Sequence, residues 1–241
     1  MGEVGPKDMT KKAMVMLSGG QDSATCLAWA LEKYELVETI GFAYGQRHIV
    51  ELDCRQTVLS EIVKLSSKWC RRLGPDLIVP LEGVNKLSGS ALLNQKNINN
   101  EPGKLPNTFI PGRNLLFLTY AAARCYERGI KTIIGGMCET DYSGYPDCRN
   151  ETIGSMQKSL SLGMETSFKI VTPLMYLTKS DTWRLAEKLG GNSFVNLIIE
   201  NTFTCYRGDR LSKHDWGYGC NNCPACDLRR DGYLQYINTL N

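Results

Sequence analysis

An apolar run, Ala13-Met14-Val15-Met16-Leu17, stops at Ser18-Gly19-Gly20, and Ala24, Leu27, Ala28 and Leu31 then recur at helical spacing. This direct succession of strand, glycine turn and helix constrains the fold more than any other feature. A buried strand followed by its covering helix is the unit of layered α/β folds, so the question is whether the alternation continues.

It does. Leu36 to Ala43 reads as a second strand, and the amphipathic stretch from about Ile49 to Leu73 as a long helix closed by Gly74-Pro75. Asp76 to Pro80 is the third strand. Residues 81–108 break the rhythm, because Asn94, Asn97, Asn99, Asn100, Pro102, Gly103 and Pro106 mark a polar excursion longer than ordinary connections. Helical spacing resumes at Leu115, Leu118, Ala122 and Tyr126, and Ile130 to Gly135 reads as the fourth strand. A Gly/Tyr/Asp-rich loop, Cys138 to Arg149, precedes a helix from about Glu151 and a strand near Phe168 to Val171. Thr178-Lys179-Ser180-Asp181 has the form of a capping box and opens a helix through Leu185, Ala186 and Leu189 to a Gly190-Gly191 stop. The expected fold class is α/β, a mostly parallel sheet with helices on both faces. Its ligand should lie beyond the carboxyl ends of the strands, where loops from Ser18, Tyr44, Leu81 and Cys138 converge.

The 241 residues suit one large domain, or one domain with a small appendage. We expect 1–12 to be an N-terminal extension, 13–200 a nucleotide-binding α/β domain and 201–241 a C-terminal metal-binding segment with a helix. With 28 basic against 25 acidic residues the net charge is +3, far from the excess of a nucleic-acid-tracking surface or a polybasic membrane patch. The longest mostly apolar run, Leu115 to Ala123, is nine residues against the roughly 20 a bilayer requires, and Ala13 to Leu17 is too short for a signal-peptide core. These features predict a cytoplasmic protein, with neither nucleic acid nor membrane expected as a direct partner.

Ten cysteines are too few for a secreted disulfide scaffold, and their spacing is uneven. Four of them crowd together as Cys205, Cys220, Cys223 and Cys226, and the two-residue gaps suit a chelating knuckle around tetrahedral Zn²⁺. Four thiolates close the shell, so such a zinc is structural. An iron–sulfur cluster or a redox pair in Cys223-Pro224-Ala225-Cys226 would have similar spacing.

Ser18-Gly19-Gly20-Gln21-Asp22-Ser23 lies where free backbone N–H groups and the positive end of a helix bind anions. The glycines let backbone approach phosphate, and the serines add hydroxyl donors. The loop has neither the Gly-Lys-Ser/Thr of a Walker A motif nor G-x-G-x-x-G. It resembles the S-G-G-x-D-S loop of the PP-loop ATP pyrophosphatases. That resemblance implies an adenine nucleotide alpha hydrolase-like fold and an enzyme that uses ATP with Mg²⁺ to activate a carbonyl or carboxylate oxygen for attack by nitrogen or sulfur. It also implies an ATP-binding stretch of Leu17, Ser18, Gly19, Gly20, Gln21, Asp22, Ser23, Ala24, Thr25, Cys26 and Leu27.

Further strings narrow the resemblance: Tyr44-Gly45-Gln46-Arg47-His48, Phe109-Ile110-Pro111-Gly112-Arg113-Asn114, the run Cys138 to Arg149, and Thr172-Pro173-Leu174. Together with the phosphate loop and the late cysteines, from about Ala13 to about Tyr236, they look like the QueC family of queuosine biosynthesis. What this implies is an ATP-dependent carbon–nitrogen ligase. It would activate the carboxylate of 7-carboxy-7-deazaguanine, admit ammonia to give the amide, and activate again to give the nitrile 7-cyano-7-deazaguanine. The resemblance also leaves a homodimer open.

Candidate roles follow with their plainer alternatives. Asp22 and Ser23 belong to the phosphate loop, although Asp22 also suits a helix N-terminus electrostatically. Arg113, in a Pro-Gly turn opening a helix, is a candidate clamp for phosphate or carboxylate, or else a surface arginine. Lys179 beside a helix start either neutralises phosphate or is solvated. Asp141, Tyr142 and Asp147 are candidates for reading a guanine-like base, and either aspartate could instead cap a turn. Cys138 and Cys148 bracket that loop, where covalent chemistry is the alternative to buried thiols. The rival functions are a PP-loop tRNA thiolase, a QueC-like paralogue that modifies a macromolecule, and a zinc-knuckle module that only senses ATP.

Overall fold

The computed structural model describes residues 11–45, 50–84, 88–93, 105–140 and 144–239. Strand β1 (Lys12–Met16) is apolar on both sides, Ala13 and Val15 entering one core and Met14 the other. A strand with two buried faces belongs in the middle of a sheet. With β2 (Leu36–Ala43), β3 (Leu73–Pro80), β4 (Thr132–Ile134) and β5 (Lys169–Val171), it forms a five-stranded parallel sheet of order β3-β2-β1-β4-β5.

Helices cover both faces, as the alternation predicted. One face packs on α1 (Gln21–Lys33), α2 (Val50–Leu65), α3 (Ser67–Arg72) and α6 (Lys179–Asn201). The other packs on α4 (Arg113–Arg128) and α5 (Asn150–Gly163). The chain leaves β1 for β2 and β3 on one side and returns to place β4 and β5 on the other. That reversal opens a crevice beyond the carboxyl ends of β1 and β4, the place where open α/β sheets bind ligands.

Two elements differ from expectation. The long helix ends at Leu65, and a new short one begins after Ser66, whose side chain accepts from the Trp69 N–H. Gly74-Pro75 lies inside β3 rather than before it. The pairing jumps from Val37↔Leu73 to Thr39↔Asp76, so Pro75 occupies an irregularity on an edge strand, where a missing N–H costs no ladder bond. Second, the chain stays helical beyond Gly190-Gly191 to Asn201. The glycines form a kink, with Gly191 at φ 61°, which lets Phe194 meet Trp69 edge-on at 5.6 Å.

The C-terminal segment adds a short antiparallel ribbon, β6 (Lys213–His214) and β7 (Gly217–Tyr218), and helix α7 (Pro224–Asn238). Tyr236 of α7 enters the core beside Trp183 of α6. Arg229 is 1% exposed and donates to Ile198 O, Thr202 Oγ1, Thr204 Oγ1 and Trp216 O at 2.9–3.0 Å. A buried cation needs such complete solvation by the protein, so these bonds fix the path of the chain into the cysteine segment. No helix among the described residues is long and apolar enough to cross a membrane.

Candidate functional site

The phosphate loop leaves β1 at Leu17 and enters α1 at Gln21. Gly19 has φ 104°, a conformation that favours glycine, and a Cβ there would run into the Glu51 carbonyl and the Arg55 backbone of α2. The loop therefore lies directly on the first turn of α2. The N–H groups of Ser18 and Gly19 both point at Ser23 Oγ, at 3.2 and 3.3 Å, and that of Gly20 at Ser18 Oγ at 3.3 Å. Backbone donors converging next to a helix N-terminus have the geometry of an anion nest, and here the loop's own serine hydroxyls hold them. Gln21, 3% exposed, adds a buried Nε2 that has no hydrogen-bond partner among the described residues.

Asp22 and Lys179, far apart in sequence, meet here: Lys179 Nζ donates to both Asp22 oxygens at 2.9 and 2.8 Å. The capping box at Thr178 holds Lys179 in place, since Thr178 Oγ1 accepts from the Asp181 N–H and Asp181 accepts from the Thr178 N–H. Gly232 of α7 presses on the Lys179 stem from behind. A charge so held is positioned, not a solvated surface lysine.

Two pockets adjoin the loop. One is apolar, between Met16, Leu17, Ile40, Phe42, Phe117 and Met137, with Gly136 of the β4 turn and Cys148 at its wall. The other is more polar and includes Gly20, Gln21, Phe203, Thr204 and Tyr206. Arg113, first residue of α4, faces both. Burial disfavours its cation, but Tyr44, Tyr145, Asp147 and Tyr206 around it hold its pKa above the ordinary arginine value. Its Nε is buried without a hydrogen-bond partner among the described residues. Tyr44 and Tyr206 are pushed by burial above the usual phenol range and stay neutral.

The structure separates the remaining expected residues. Ala24, Thr25, Cys26 and Leu27 are wholly buried behind the loop, with Ala24, Cys26 and Leu27 in the core and Thr25 Oγ1 donating back to Gln21 O at 2.9 Å. Asp147, 4% exposed, accepts from the Asn114 N–H at 3.0 Å, so its carboxylate caps the start of α4. Tyr145 is buried too, its hydroxyl 2.6 Å from Thr108 Oγ1. Asp141, Tyr142, and the Gln46-Arg47-His48 string lie outside the described residues. The Cys138 thiol is turned inward towards Leu177 O, at 3.3 Å, whereas Cys148 reaches the apolar pocket and accepts from Asn114 Nδ2 at 3.2 Å. Glu51, which no spacing singles out, lines both pockets. Its only signal in the sequence is an acid on the first helical turn after the loop that begins at Tyr44.

The four late cysteines converge as their spacing suggested: their sulfurs all lie within 4.8 Å of one another. Thiolates at about 2.3 Å around a tetrahedral zinc would stand about 3.8 Å apart, so the donor set fits such an ion. The N–H groups of Arg207 and Cys220 point at Cys205 Sγ, at 3.4 and 3.5 Å, as donors that stabilise a ligating thiolate. The cluster is joined to the phosphate loop, because the Phe203 N–H donates to Gly19 O at 3.0 Å.

Comparison with known proteins agrees with this arrangement. The crystal structure of a 4-thiouridine synthetase–RNA complex with bound ATP aligns with a TM-score of 0.52 at 17% identity, over 95% of this chain and 51% of that one, a likeness of fold. The 7-cyano-7-deazaguanine synthase of Azorhizobium caulinodans is 54% identical over 93% of both chains, and that of Methylorubrum extorquens strain PA1 55% over 93% of both. The family described as queuosine biosynthesis protein QueC matches residues 12–237, strand β1 through the end of α7, and the chain belongs to that family.

Proposed function

We propose that this chain is an ATP-dependent carbon–nitrogen ligase that converts 7-carboxy-7-deazaguanine and ammonia to 7-cyano-7-deazaguanine, the compound in its relatives' name. The observation that carries the reading is the anion nest at the meeting point of two pockets, one apolar and one polar. The apolar pocket takes the adenosine of ATP. The nest, Gln21 and the Asp22–Lys179 pair receive its phosphates, with Mg²⁺ as their counter-ion. The polar pocket takes the deazaguanine acid, whose carboxylate meets Arg113.

Activation makes the acid oxygen a good leaving group, and ammonia displaces it to give the amide. A second activation, now of the amide oxygen, lets nitrogen lose both of its protons while the C–O bond breaks with its electron pair on the departing phosphorylated oxygen, which gives the nitrile. The protein's share is positioning and charge stabilisation at the leaving phosphate, supplied by preorganised donors in a shielded site. Asp147 serves indirectly by seating the α4 turn that presents Arg113, and the loop bearing Asp141 and Tyr142 reads the base. Cys205, Cys220, Cys223 and Cys226 hold a structural Zn²⁺, which leaves no coordination position for substrate.

Nucleotide turnover by the purified chain tests the reading. ATP consumption should require both 7-carboxy-7-deazaguanine and ammonium and be indifferent to tRNA. Turnover that responds only to a macromolecular acceptor would assign the same chemistry to a paralogue's substrate instead.

A further inference from the structure

The two pockets share Ser18, Asp22, Ser23, Tyr44, Glu51 and Arg113. Where nucleotide and acceptor meet, the incoming nitrogen must also arrive, and these side chains surround that point. Two of them are acids. Asp22 has both oxygens on Lys179 Nζ. Glu51, on the first turn of α2, accepts a hydrogen bond from the Ser18 hydroxyl and feels the charge of Arg113.

A carboxylate here is unfavourable for binding alone, because ATP and a carboxylate acceptor are both anions and like charges repel strongly where water is excluded. It suits a cation. The reactant that arrives as a cation is the nitrogen donor, which at neutral pH is mostly ammonium and has no lone pair to attack with until it loses a proton.

We propose that Glu51 is the catalytic base for amide formation, binding ammonium at the junction of the pockets and taking one of its protons. The proposal rests on the ligase reading above. Proton transfer leaves a carboxylic acid at Glu51 and neutral ammonia beside the activated carbonyl. The nitrogen lone pair forms the C–N bond, the C–O bond to the phosphoryl group breaks with its electron pair on oxygen, and the surplus proton on nitrogen leaves with the departing phosphate.

The surroundings suit this role. Burial raises the Glu51 carboxyl above the ordinary range, against the pull of Arg113 and the Ser18 hydroxyl, and a stronger base results. The titratable groups around it are Arg113 on α4, Tyr44 after β2, Cys54 one turn along α2 and Asp22 on α1. Burial pushes the Tyr44 phenol and the Cys54 thiol upward, which keeps both neutral.

Hydroxylamine separates this role from a merely structural one, because it is largely unprotonated at neutral pH and needs no base before attack. The full chain and Glu51→Gln are compared with ammonium and with hydroxylamine, reading amide and hydroxamate by mass spectrometry and ATP binding by thermal shift. Glu51→Gln should bind ATP at least as tightly as the parent does, because it removes a like charge from the site. Its amide formation from ammonium should fall about 10²-fold or more, with hydroxamate formation falling less than about tenfold. Glu51→Asp, which keeps a carboxylate, should retain the parental preference between donors at a lower rate. An equal loss with both donors, or no loss with ammonium, would overturn the proposal. A parent chain that makes neither amide nor hydroxamate would instead overturn the ligase reading beneath it.

Discussion

Lys179 Nζ lies 2.9 and 2.8 Å from the two carboxylate oxygens of Asp22, which ties the start of α6 to the phosphate loop. The lysine side chain is 9% exposed and the aspartate 29%. The pair thus sets a fixed positive charge beside the anion nest while its partner prevents an uncompensated cation when ATP is absent. Lys179→Met should lower ATP-dependent turnover by about 10²-fold, the size of effect seen when one preorganised charge-stabilising group is lost. Asp22→Ala should do the same and also lower the melting temperature, since it strands a buried ammonium. Steady-state nucleotide release and thermal melting check both; a Lys179→Met chain with parental turnover would remove the pair from the phosphate site.

Gly19 combines a positive φ with contact to the α2 backbone, where an added Cβ would lie 2.9 Å from Arg55 N. Gly19→Ala forces the loop off α2 and turns its N–H groups away from the nest. We expect ATP-induced thermal stabilisation to disappear while the apo chain still melts cooperatively. Measured ATP stabilisation equal to the parent's would show that the loop tolerates a side chain there.

The cysteine cluster and the loop are coupled through the Phe203 N–H on Gly19 O, at 3.0 Å. Zinc ligation contributes on the order of 10 kcal/mol to folding, comparable to the whole stability of an ordinary domain. The protein should contain one equivalent of zinc by elemental analysis, and Cys223→Ser should lose it. Removing the metal with a chelator should weaken ATP binding along with lowering the melting temperature. Chelation that leaves ATP affinity untouched would show that the segment folds independently of the loop.

Acid stability has a defined source in Asp76. Burial alone would raise its pKa, but Arg55, Thr39 and Gln56 hold it below the usual carboxylate value. Arg55 is wholly buried and also donates through Nε to Leu17 O at 2.8 Å, at the end of β1. A depressed folded-state pKa means that the stabilisation is complete above the unfolded value of about 3.9 and is lost as pH falls through the folded one. Asp76→Asn should cost about 3 kcal/mol at neutral pH by stranding Arg55, a drop of about 6–12 °C in Tm. The gap between the two chains should begin to close as pH falls below about 4 and vanish only below the folded-state pKa of Asp76, and melting curves across that range provide the check.

The sheet, its covering helices and the crevice were readable in the sequence because periodicity and glycine turns report local structure directly. The limits have physical reasons. Pro75 reads as a helix stop, yet an edge strand with an irregular pairing accommodates it. Gly190-Gly191 reads as an end, yet packing of Phe194 on Trp69 rewards a continued helix after the kink. The cysteine cluster was legible since chelate spacing is local. The Asp22–Lys179 pair and Glu51 were not, because they depend on how α1, α2 and α6 come together, which no window of sequence records. Asp147 shows the reverse case: a loop acid of the right kind for base recognition whose hydrogen bond goes to a helix N-terminus.

The most direct test is product analysis by mass spectrometry after incubating the protein with ATP, Mg²⁺, ammonium and 7-carboxy-7-deazaguanine, alongside Asp22→Ala. The account predicts the amide and then the nitrile in the parent reaction and about 10²-fold less of both with the variant. Folded, zinc-loaded protein that leaves the acid unchanged would contradict it.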